Sequence, residues 1–246
     1  LGHFVVLSRA SPSRLLGAFP PGTPLPRVTL DEPLQRVPPG VMAAAANPGR
    51  SRGQKRANYE AGLAMKQVGL FRHAKSDWHD ATARDFDRPL NERGRKGAAL
   101  MGRHIAGHGV PWQRVIASPA VRAAQTIEIA CEAAGRTIPV EWDRRIYLAS
   151  SPTLADVLRE IAEPTHSVLL VGHNPGLEDL IFDLVPDDGA CPLRAVVEEK
   201  FPTATYAVLE LDIERWAALD DGCARLVHLM RPRDLDPSLG PSLIGD

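Results

Sequence analysis

The sequence predicts an α/β fold with a mostly parallel central sheet, helices on both of its faces and an antiparallel edge strand. Three short apolar runs support this prediction: residues 67–71, 114–117 and 167–171. A stretch with helical spacing, long enough for a helix, separates each run from the next. Strands that alternate with helices form parallel sheets covered on both faces. We therefore expect one α/β domain over residues 65–246.

The elements are predicted from apolar spacing and from residues that start a helix or mark a turn. Ser118 is expected to cap a helix beginning at Pro119, and Asn174 is expected to cap a helix beginning at Pro175. Proline suits the first helical position because the N–H that it lacks would have no partner there. A turn signal at residues 220–222 favours an antiparallel pair at one edge. The predicted helices are residues 91–108, 119 onward, 153–162 and 175–184, and the late strands are 205–211 and 224–229.

Positively charged side chains stand where the predicted strands end. Arg72 and His73 follow the first strand, His173 follows the third, and Arg122 lies about one turn inside the helix after the second. Ligands of such sheets bind outside the carboxyl ends of the strands. The N-termini of the following helices add positive potential at the same edge. The sequence therefore predicts a phosphate pocket at this edge.

Four segments carry a resemblance to a known family. Residues 72–78 (RHAKSDW), 118–126 (SPAVRAAQT) and 171–177 (VGHNPGL) resemble the histidine phosphatase superfamily, most closely its small SixA-type phosphohistidine phosphatases. Residues 87–94 (DRPLNERG) are similar to the arginine-proline-leucine turn of that branch. The motifs occur in order between about Met65 and Pro232, and the resemblance implies a phosphoglycerate-mutase-like fold.

The resemblance also implies roles for individual residues. His73 would be the nucleophile that attacks phosphorus and forms a phosphohistidine enzyme. Arg72, Arg122 and His173 would surround the transferred phosphoryl group and offset the charge on its oxygens. Arg88 would be a further substrate contact. These roles agree with the chemistry, since the arginine fork grips two phosphate oxygens at once.

Two questions stay open at this point. Arg88 either contacts substrate or pairs with Asp85 or Asp87. Relatives that cleave alkyl phosphate esters carry a glutamate after the second arginine motif, but residues 143–150 (DRRIYLAS) supply none where it is expected. Asn174 stands where acid phosphatases have an aspartate. Asp143, Glu178 and Asp179 are the nearby carboxylates, and no general acid is assigned.

No metal or cofactor is predicted. His104 and His108 stand four residues apart on the predicted helix, which is the spacing of a helical zinc pair, but the sequence offers no third ligand. We interpret them as polar residues in the last helical turn. The three cysteines follow no spacing pattern, which favours a reducing compartment over a disulfide framework.

Residues 1–64 differ from the rest of the chain. They contain nine of the 22 prolines and no sustained apolar period, so we predict a disordered Pro/Arg-rich leader. Met65, directly before the first strand, is a candidate for the native start. No run approaches the roughly 18 apolar residues of a membrane span, and the leader shows no basic patch interleaved with aromatic stacking residues. Neither a membrane nor a nucleic acid is predicted as a partner, and cytoplasm is the default location.

The sequence thus predicts a metal-independent phosphatase that forms a phosphohistidine intermediate and acts on phosphohistidine in proteins. One alternative is a phosphomonoesterase or mutase acting on a small phosphorylated metabolite. An alternative of another class is a protein that binds phosphate without turnover. A composition of 44% hydrophobic and 24% charged residues, with a net charge of -1, is compatible with all three.

Overall fold

The computed structural model describes residues 65–79, 82 and 84–240. The predicted leader, residues 1–64, lies outside the described residues. The strands are β1 Lys66–Arg72, β2 Arg114–Ala117, β3 Val140–Trp142, β4 Ser167–Gly172, β5 Tyr206–Leu211 and β6 Ala224–Met230. The helices are α1 Glu92–His108, α2 Val121–Ala133, α3 Ser151–Arg159, α4 Gly176–Leu184, α5 Pro192–Glu199 and α6 Pro232–Leu235. Short 3-10 turns occur at Asp85–Asp87, Arg144–Ile146, Trp216–Ala218 and Pro237–Leu239.

The strands form one six-stranded sheet in the order β3-β2-β4-β1-β5-β6. The pairs β3–β2, β2–β4 and β4–β1 are parallel, whereas β5 runs antiparallel to both β1 and β6. The predicted α/β class, the parallel centre and the antiparallel edge are therefore confirmed. β1 and β4 lie side by side at the middle of the sheet, although about 95 residues separate them in the sequence.

Alternate residues of the central strands feed two apolar layers, one on each face. Val68 and Leu70 of β1 belong to the layer that contains residues of α3, α4 and α5. Phe71 belongs to the opposite layer, with residues of α1 and α2. This alternation follows from the two-residue period of a strand. Both faces of the central strands are buried, which explains their nearly continuous apolar sequences.

Two predicted helix starts are wrong by one or two residues. The helix predicted from Pro119 begins at Val121, and the Ser118 side chain bonds His173 instead of capping the first turn. The helix predicted from Pro175 begins at Gly176, because the Asn174 amide donates to Glu178 and to the Phe201 carbonyl. In both cases the side chain that the sequence suggested as a cap forms hydrogen bonds with other residues at the sheet edge.

Other boundaries agree or shift slightly. Asn91 caps α1 by accepting a hydrogen bond from Gly94 N at 2.8 Å, and Gly109 ends the helix in the left-handed conformation. The helix predicted at residues 153–162 lies at 151–159, since Pro152 fits its first turn. The sequence analysis missed three short elements, β3, α5 and α6. No helix in the described part of the chain is long and apolar enough to cross a membrane.

Candidate active site

The register of the parallel strands brings the predicted site residues to one edge of the sheet. Arg72 of β1 pairs with Gly172 of β4, and Ala117 of β2 pairs with Val171. The next residue of each strand, His73, His173 and Ser118, therefore emerges at the same carboxyl edge. All three are buried, with exposed fractions of 8%, 2% and 0%.

His73 is held as a neutral imidazole with one nitrogen free to react. Its Nδ1 lies 2.8 Å from the Ala74 carbonyl oxygen, which only accepts, so Nδ1 carries the proton and Nε2 the lone pair. The Arg122 Nε–H approaches Nε2 at 3.4 Å. Burial is the main cause that lowers the pKa of His73 to about 3. The charges of Arg122, Arg72 and Arg88 also lower it, whereas the hydrogen bond to the Ala74 carbonyl raises it. The ring is uncharged at neutral pH.

His173 faces His73 across the site. The two ring centroids lie 5.0 Å apart, and His173 Nε2 lies 2.8 Å from Ser118 Oγ. Burial lowers the pKa of His173 to about 2, and the fields of His73 and Arg122 act in the same direction. Its Nδ1 finds no partner among the described residues. His173 therefore has one nitrogen fixed by the protein and one without a protein partner.

Arg122 is buried and tied to the turn before the Arg88 motif. Its Nη2 lies 2.9 Å from Asp85 Oδ2, and its Nη1 donates to the Asp85 carbonyl at 2.5 Å. Thr126, one turn further along α2, donates to the Arg122 carbonyl at 2.6 Å and accepts from Ala74 N at 2.9 Å. These contacts fix the start of α2 against the segment that carries His73.

For Arg88, the structure shows one of the two expected contacts, and the substrate contact stays a prediction. It pairs with Asp85, and its guanidinium stacks on the Trp78 ring, 3.3 Å from Cζ to the centroid. Tyr147 also donates to Asp85, at 2.7 Å. Burial raises the pKa of Asp85, but the Tyr147 hydroxyl and the charges of Arg122 and Arg88 outweigh it, so that the pKa is lowered. The ionised Asp85 carboxylate thus holds both Arg88 and Arg122 at the site.

Arg72 lies at the edge of the group. Its Nη1 donates to the Phe201 carbonyl at 2.6 Å, while its buried Nε has no partner among the described residues. Its charge acts on both His73 and His173. The structure therefore brings all five predicted site residues into one electrostatically connected group: Arg72, His73 and His173 at the strand ends, Arg122 on α2, and Arg88.

The three candidate acids differ in their surroundings. Burial raises the pKa of Glu178, with the charge of Arg72 opposing the shift. The Arg145 guanidinium lowers the pKa of Asp143 and holds that carboxylate in a salt bridge at 2.7 Å. Asp179 is exposed on the first turn of α4. Of Glu178 and Asp143, Glu178 is the one whose pKa is shifted in the direction that a proton donor requires.

A second histidine group lies away from the sheet edge. His104 and His108 of α1 meet His228 of β6, with His104 Nε2 2.9 Å from His228 Nε2 and the His108 and His228 centroids 4.0 Å apart. The sequence had given His228 no role. Within residues 65–79, 82 and 84–240, no group of three or more His, Cys, Asp or Glu side chains is arranged to hold a metal ion. The absence of a metal remains a prediction.

Sequence reasoning missed several side chains that organise the site. The sequence analysis expects a helix cap at Ser118 and assigns no role to Tyr147 or Thr126. Asp85 had been considered only as a partner for Arg88. A carboxylate three residues before an arginine at a turn is a weak signal, and nothing local indicates that it also reaches Arg122.

The arrangement suits a tetrahedral oxyanion beside a nitrogen nucleophile. Arg72, Arg88 and Arg122 provide positive charge, the N-terminus of α2 adds partial positive charge, and His73 Nε2 carries a lone pair. Both histidines are neutral without a ligand, so an approaching phosphate dianion would raise their pKa values. The site can therefore bind a phosphoryl group and accept it on nitrogen.

Comparisons with known proteins agree with this geometry. The profile of the Histidine phosphatase superfamily (branch 1) matches residues 68–147. An uncharacterised protein of Mycobacterium tuberculosis is 34% identical over 163 residues, which make up 66% of this chain and 99% of that protein. A relative in Mycobacterium leprae is 30% identical over 166 residues, with the same two coverages.

Solved structures give the same picture. A SixA protein of Agrobacterium tumefaciens is 30% identical with a TM-score of 0.58, over 68% of this chain and 99% of that chain. The structure of the protein histidine phosphatase SixA complexed with tungstate is 26% identical with a TM-score of 0.57, over 69% and 99% of the two chains. The similarity thus spans nearly the full length of these proteins.

Proposed function

Since this chain belongs to the histidine phosphatase superfamily and is a phosphatase, we propose that it removes phosphoryl groups from phosphohistidine in proteins, without a metal and through a covalent intermediate on His73. The single observation that carries the proposal is the state of His73. Its Nδ1–H is bound by the Ala74 carbonyl, and its pKa near 3 keeps Nε2 unprotonated and beside Arg122.

The proposed reaction has two steps. His73 Nε2 attacks phosphorus, the P–N bond to the substrate imidazole breaks, and the leaving nitrogen takes a proton from water. Water then attacks the phosphorus held on His73, the Nε2–P bond breaks, the attacking water gives up a proton, and inorganic phosphate leaves. Arg72, Arg122 and His173 offset the charge on the equatorial oxygens in both steps. Arg88 is proposed as a further phosphate contact, because its Nε and Nη1 have no partner among the described residues.

The choice of phosphohistidine rests on the leaving group. Imidazole leaves readily from phosphorus, whereas an alkoxide needs a proton donor that contributes about 10²–10⁴-fold. Asp85, the carboxylate bonded to Arg122, has a lowered pKa and is ionised at neutral pH. It therefore does not serve as that donor. The 26%-identical SixA structure, a protein histidine phosphatase with bound tungstate, supports the same substrate class.

One observation favours the second candidate, a phosphomonoesterase acting on a small metabolite. The pKa of Glu178 is raised by burial, and this carboxyl lies within the electrostatic reach of Arg72. A protonated Glu178 would supply the missing acid for an ester leaving group. The two candidates therefore differ in whether Glu178 takes part in the reaction.

A turnover panel separates the two candidates. We expect kcat/KM to be highest for a phosphohistidine protein or phosphoramidate, intermediate for an aryl phosphate and lowest for a sugar phosphate, with no loss in EDTA. Glu178→Gln should change the first two by less than about threefold, like the control Asp179→Asn. A sugar phosphate as best substrate, together with a loss of about 10²-fold in Glu178→Gln alone, would establish the metabolite phosphatase instead.

A further inference from the structure

A cavity of about 530 Å³ opens beside the proposed phosphoryl site. Its walls are the loop after β1, the first turns of α1, the segment between α5 and β5, and α6. Arg72 lines this cavity and also acts on His73 and His173, so the cavity and the phosphoryl site share one side chain. The volume falls within the range of small-ligand pockets, about 300–1,000 Å³.

The lining of the cavity carries charge of one sign. Arg72, Lys75, Arg93, Lys200 and Arg233 contribute to it, and no acidic side chain is among the lining residues. Five cations around one concave surface repel one another, and an anion bound between them would offset that repulsion. The cavity is therefore electrostatically complementary to a negatively charged group.

These cations are paired differently from several others in the described part of the chain. Lys66, Lys96, Arg114 and Arg145 each lie within 2.9 Å of a carboxylate oxygen. By contrast, neither cavity lysine has an ion pair or side-chain hydrogen bond within the described ranges.

The cavity arginines are also poorly neutralised. Arg93 donates to the carbonyls of Leu239 and Gly240, at 2.6 and 2.5 Å, and these carry no net charge. Arg233 lies 3.9 Å from Glu199, a largely exposed carboxylate, and Arg72 lies within the field of Glu178. Among the described residues, Lys75, Lys200 and Arg93 thus have no carboxylate partner, and the cavity keeps a net positive charge.

We propose that this cavity is a second anion site, which binds a carboxylate or phosphate group of the same substrate whose phosphoryl group reaches His73. The inference rests on the proposed function for the position of the reacting phosphoryl group. It narrows the substrate class to molecules with a second anionic group near the phosphoryl group. In a phosphoprotein, an acidic side chain flanking the phosphohistidine supplies that group; in a small metabolite, a second phosphate does.

The test compares the full-length chain with two double variants. Lys75→Gln/Lys200→Gln removes two cations from the cavity wall. Arg95→Gln/Arg103→Gln removes two exposed cations of α1 that do not line the cavity, so it matches the change in net charge. All four side chains are exposed, so both variants should keep the fold, as circular dichroism and the unfolding midpoint would verify.

The first arm uses tripolyphosphate as the probe and an aryl phosphate as the reporter substrate. In the unmodified protein, tripolyphosphate should inhibit more strongly than orthophosphate, because it spans both sites. The ratio of the two inhibition constants should fall by at least about tenfold in the lysine variant and by less than about twofold in the control. Equal ratios in the two variants would overturn the second anion site. This arm does not require phosphohistidine as a substrate.

The second arm identifies the source of the anion. Two phosphohistidine peptides, identical except for glutamate or glutamine beside the phosphohistidine, are compared by kcat/KM. A preference for the glutamate peptide that the lysine variant loses and the control keeps supports an acidic protein segment as the occupant. A tripolyphosphate effect with no peptide preference supports a small polyanion. If neither peptide is hydrolysed while the tripolyphosphate effect persists, the proposed function fails and the anion site stands.

Discussion

Two groups of closely packed histidines in this molecule look alike in isolation and differ in their neighbours. His73 and His173 lie at the carboxyl ends of β1 and β4, whereas His104, His108 and His228 lie between α1 and β6. Burial is the first cause of a lowered pKa in both groups, to about 3 for His73 and about 4 for His228. A pKa lowered by burial is therefore common to both groups, although His73 and His173 are buried and the other three histidines only partly so.

The difference lies in the charges and hydrogen bonds around each group. Three arginines act on His73, and the Ala74 carbonyl fixes its tautomer. In the second group, only neighbouring histidines add to the effect of burial, and the aromatic ring of Tyr206 packs against the imidazoles. A lowered histidine pKa therefore indicates a candidate site only where cations and a fixed tautomer accompany it.

The largest expected effect is on kcat and comes from replacing His73, the proposed nucleophile. His73→Asn should lower kcat by at least about 10³-fold, because the covalent route is lost, and should leave the fold intact. The matched control His228→Asn should change kcat by less than about twofold. Initial rates with phosphoramidate and the unfolding midpoints of both variants are the measurements.

The opposite ranking would contradict the comparison. If His228→Asn inactivated the folded enzyme and His73→Asn did not, the second group would be the reactive one. Comparable losses in both variants, with unfolding midpoints like that of the unmodified protein, would show that cations around the histidine do not decide its role.

The next effect concerns the cation nearest the reactive nitrogen. Arg122→Ala should raise the barrier by about 2.7–4 kcal/mol, which is about 10²–10³-fold in kcat/KM, because one preorganised charge is lost from the transition state. The control Arg114→Ala removes an arginine paired with Glu141 on the β2–β3 pair and should change kcat/KM by less than about twofold. A loss in Arg122→Ala no larger than in the control would remove Arg122 from the site.

A smaller effect is expected from Ser118, which holds His173 by a hydrogen bond of 2.8 Å. Ser118→Ala should cost about 0.5–1.5 kcal/mol in kcat/KM, because one neutral hydrogen bond is lost while His173 stays in place. The exposed Ser150, whose hydroxyl shares a hydrogen bond with Thr153, provides the control Ser150→Ala. No change in Ser118→Ala would mean that packing alone orients His173.

The smallest effect on activity is expected from replacing His228, and its consequence is measured in the pH dependence of stability. The pKa of His228 is about 4 in the folded chain and 6.5 in an ordinary histidine. Between these values the unfolded chain binds more protons, so the stability due to neutral His228 is present above pH 6.5 and is lost as the pH falls toward 4. His228→Gln should therefore show a shallower fall of the unfolding midpoint from pH 6.5 to 4, with kcat/KM at pH 7 within about twofold. A fall as steep as in the unmodified protein would contradict the assignment of a lowered pKa.

The fold could be predicted from the sequence where single strands carry an uninterrupted apolar run. Residues 114–117 match β2 in full, and the antiparallel pairing of β5 with β6 follows from a turn signal. The three-residue strand β3 has too few residues to show a period and its last two residues are exposed, so the sequence gives no clear strand pattern there. Helix starts at Val121 and Gly176 were misplaced because tertiary partners took the side chains that could have capped them.

The site residues that directly follow a strand could be predicted from local pattern, whereas the carboxylate that joins the arginines could not. His73 and His173 come directly after β1 and β4, and the rule that ligands bind at carboxyl ends located them. Asp85 reaches Arg122 across 37 positions of sequence, and His228 reaches His104 across 124. Such contacts depend on how the chain folds back on itself, which local pattern does not encode.

The most direct test of the central claim is the location of phosphate on the enzyme during turnover. The protein is mixed with a ³²P-labelled substrate, quenched within milliseconds in alkali and digested for peptide mapping. A label that is stable to alkali and labile to acid, on the peptide containing His73 and absent from His73→Asn, is the predicted result. A label on His173 or on any other residue, or no label while phosphate is released in a burst, would contradict nucleophilic attack by His73.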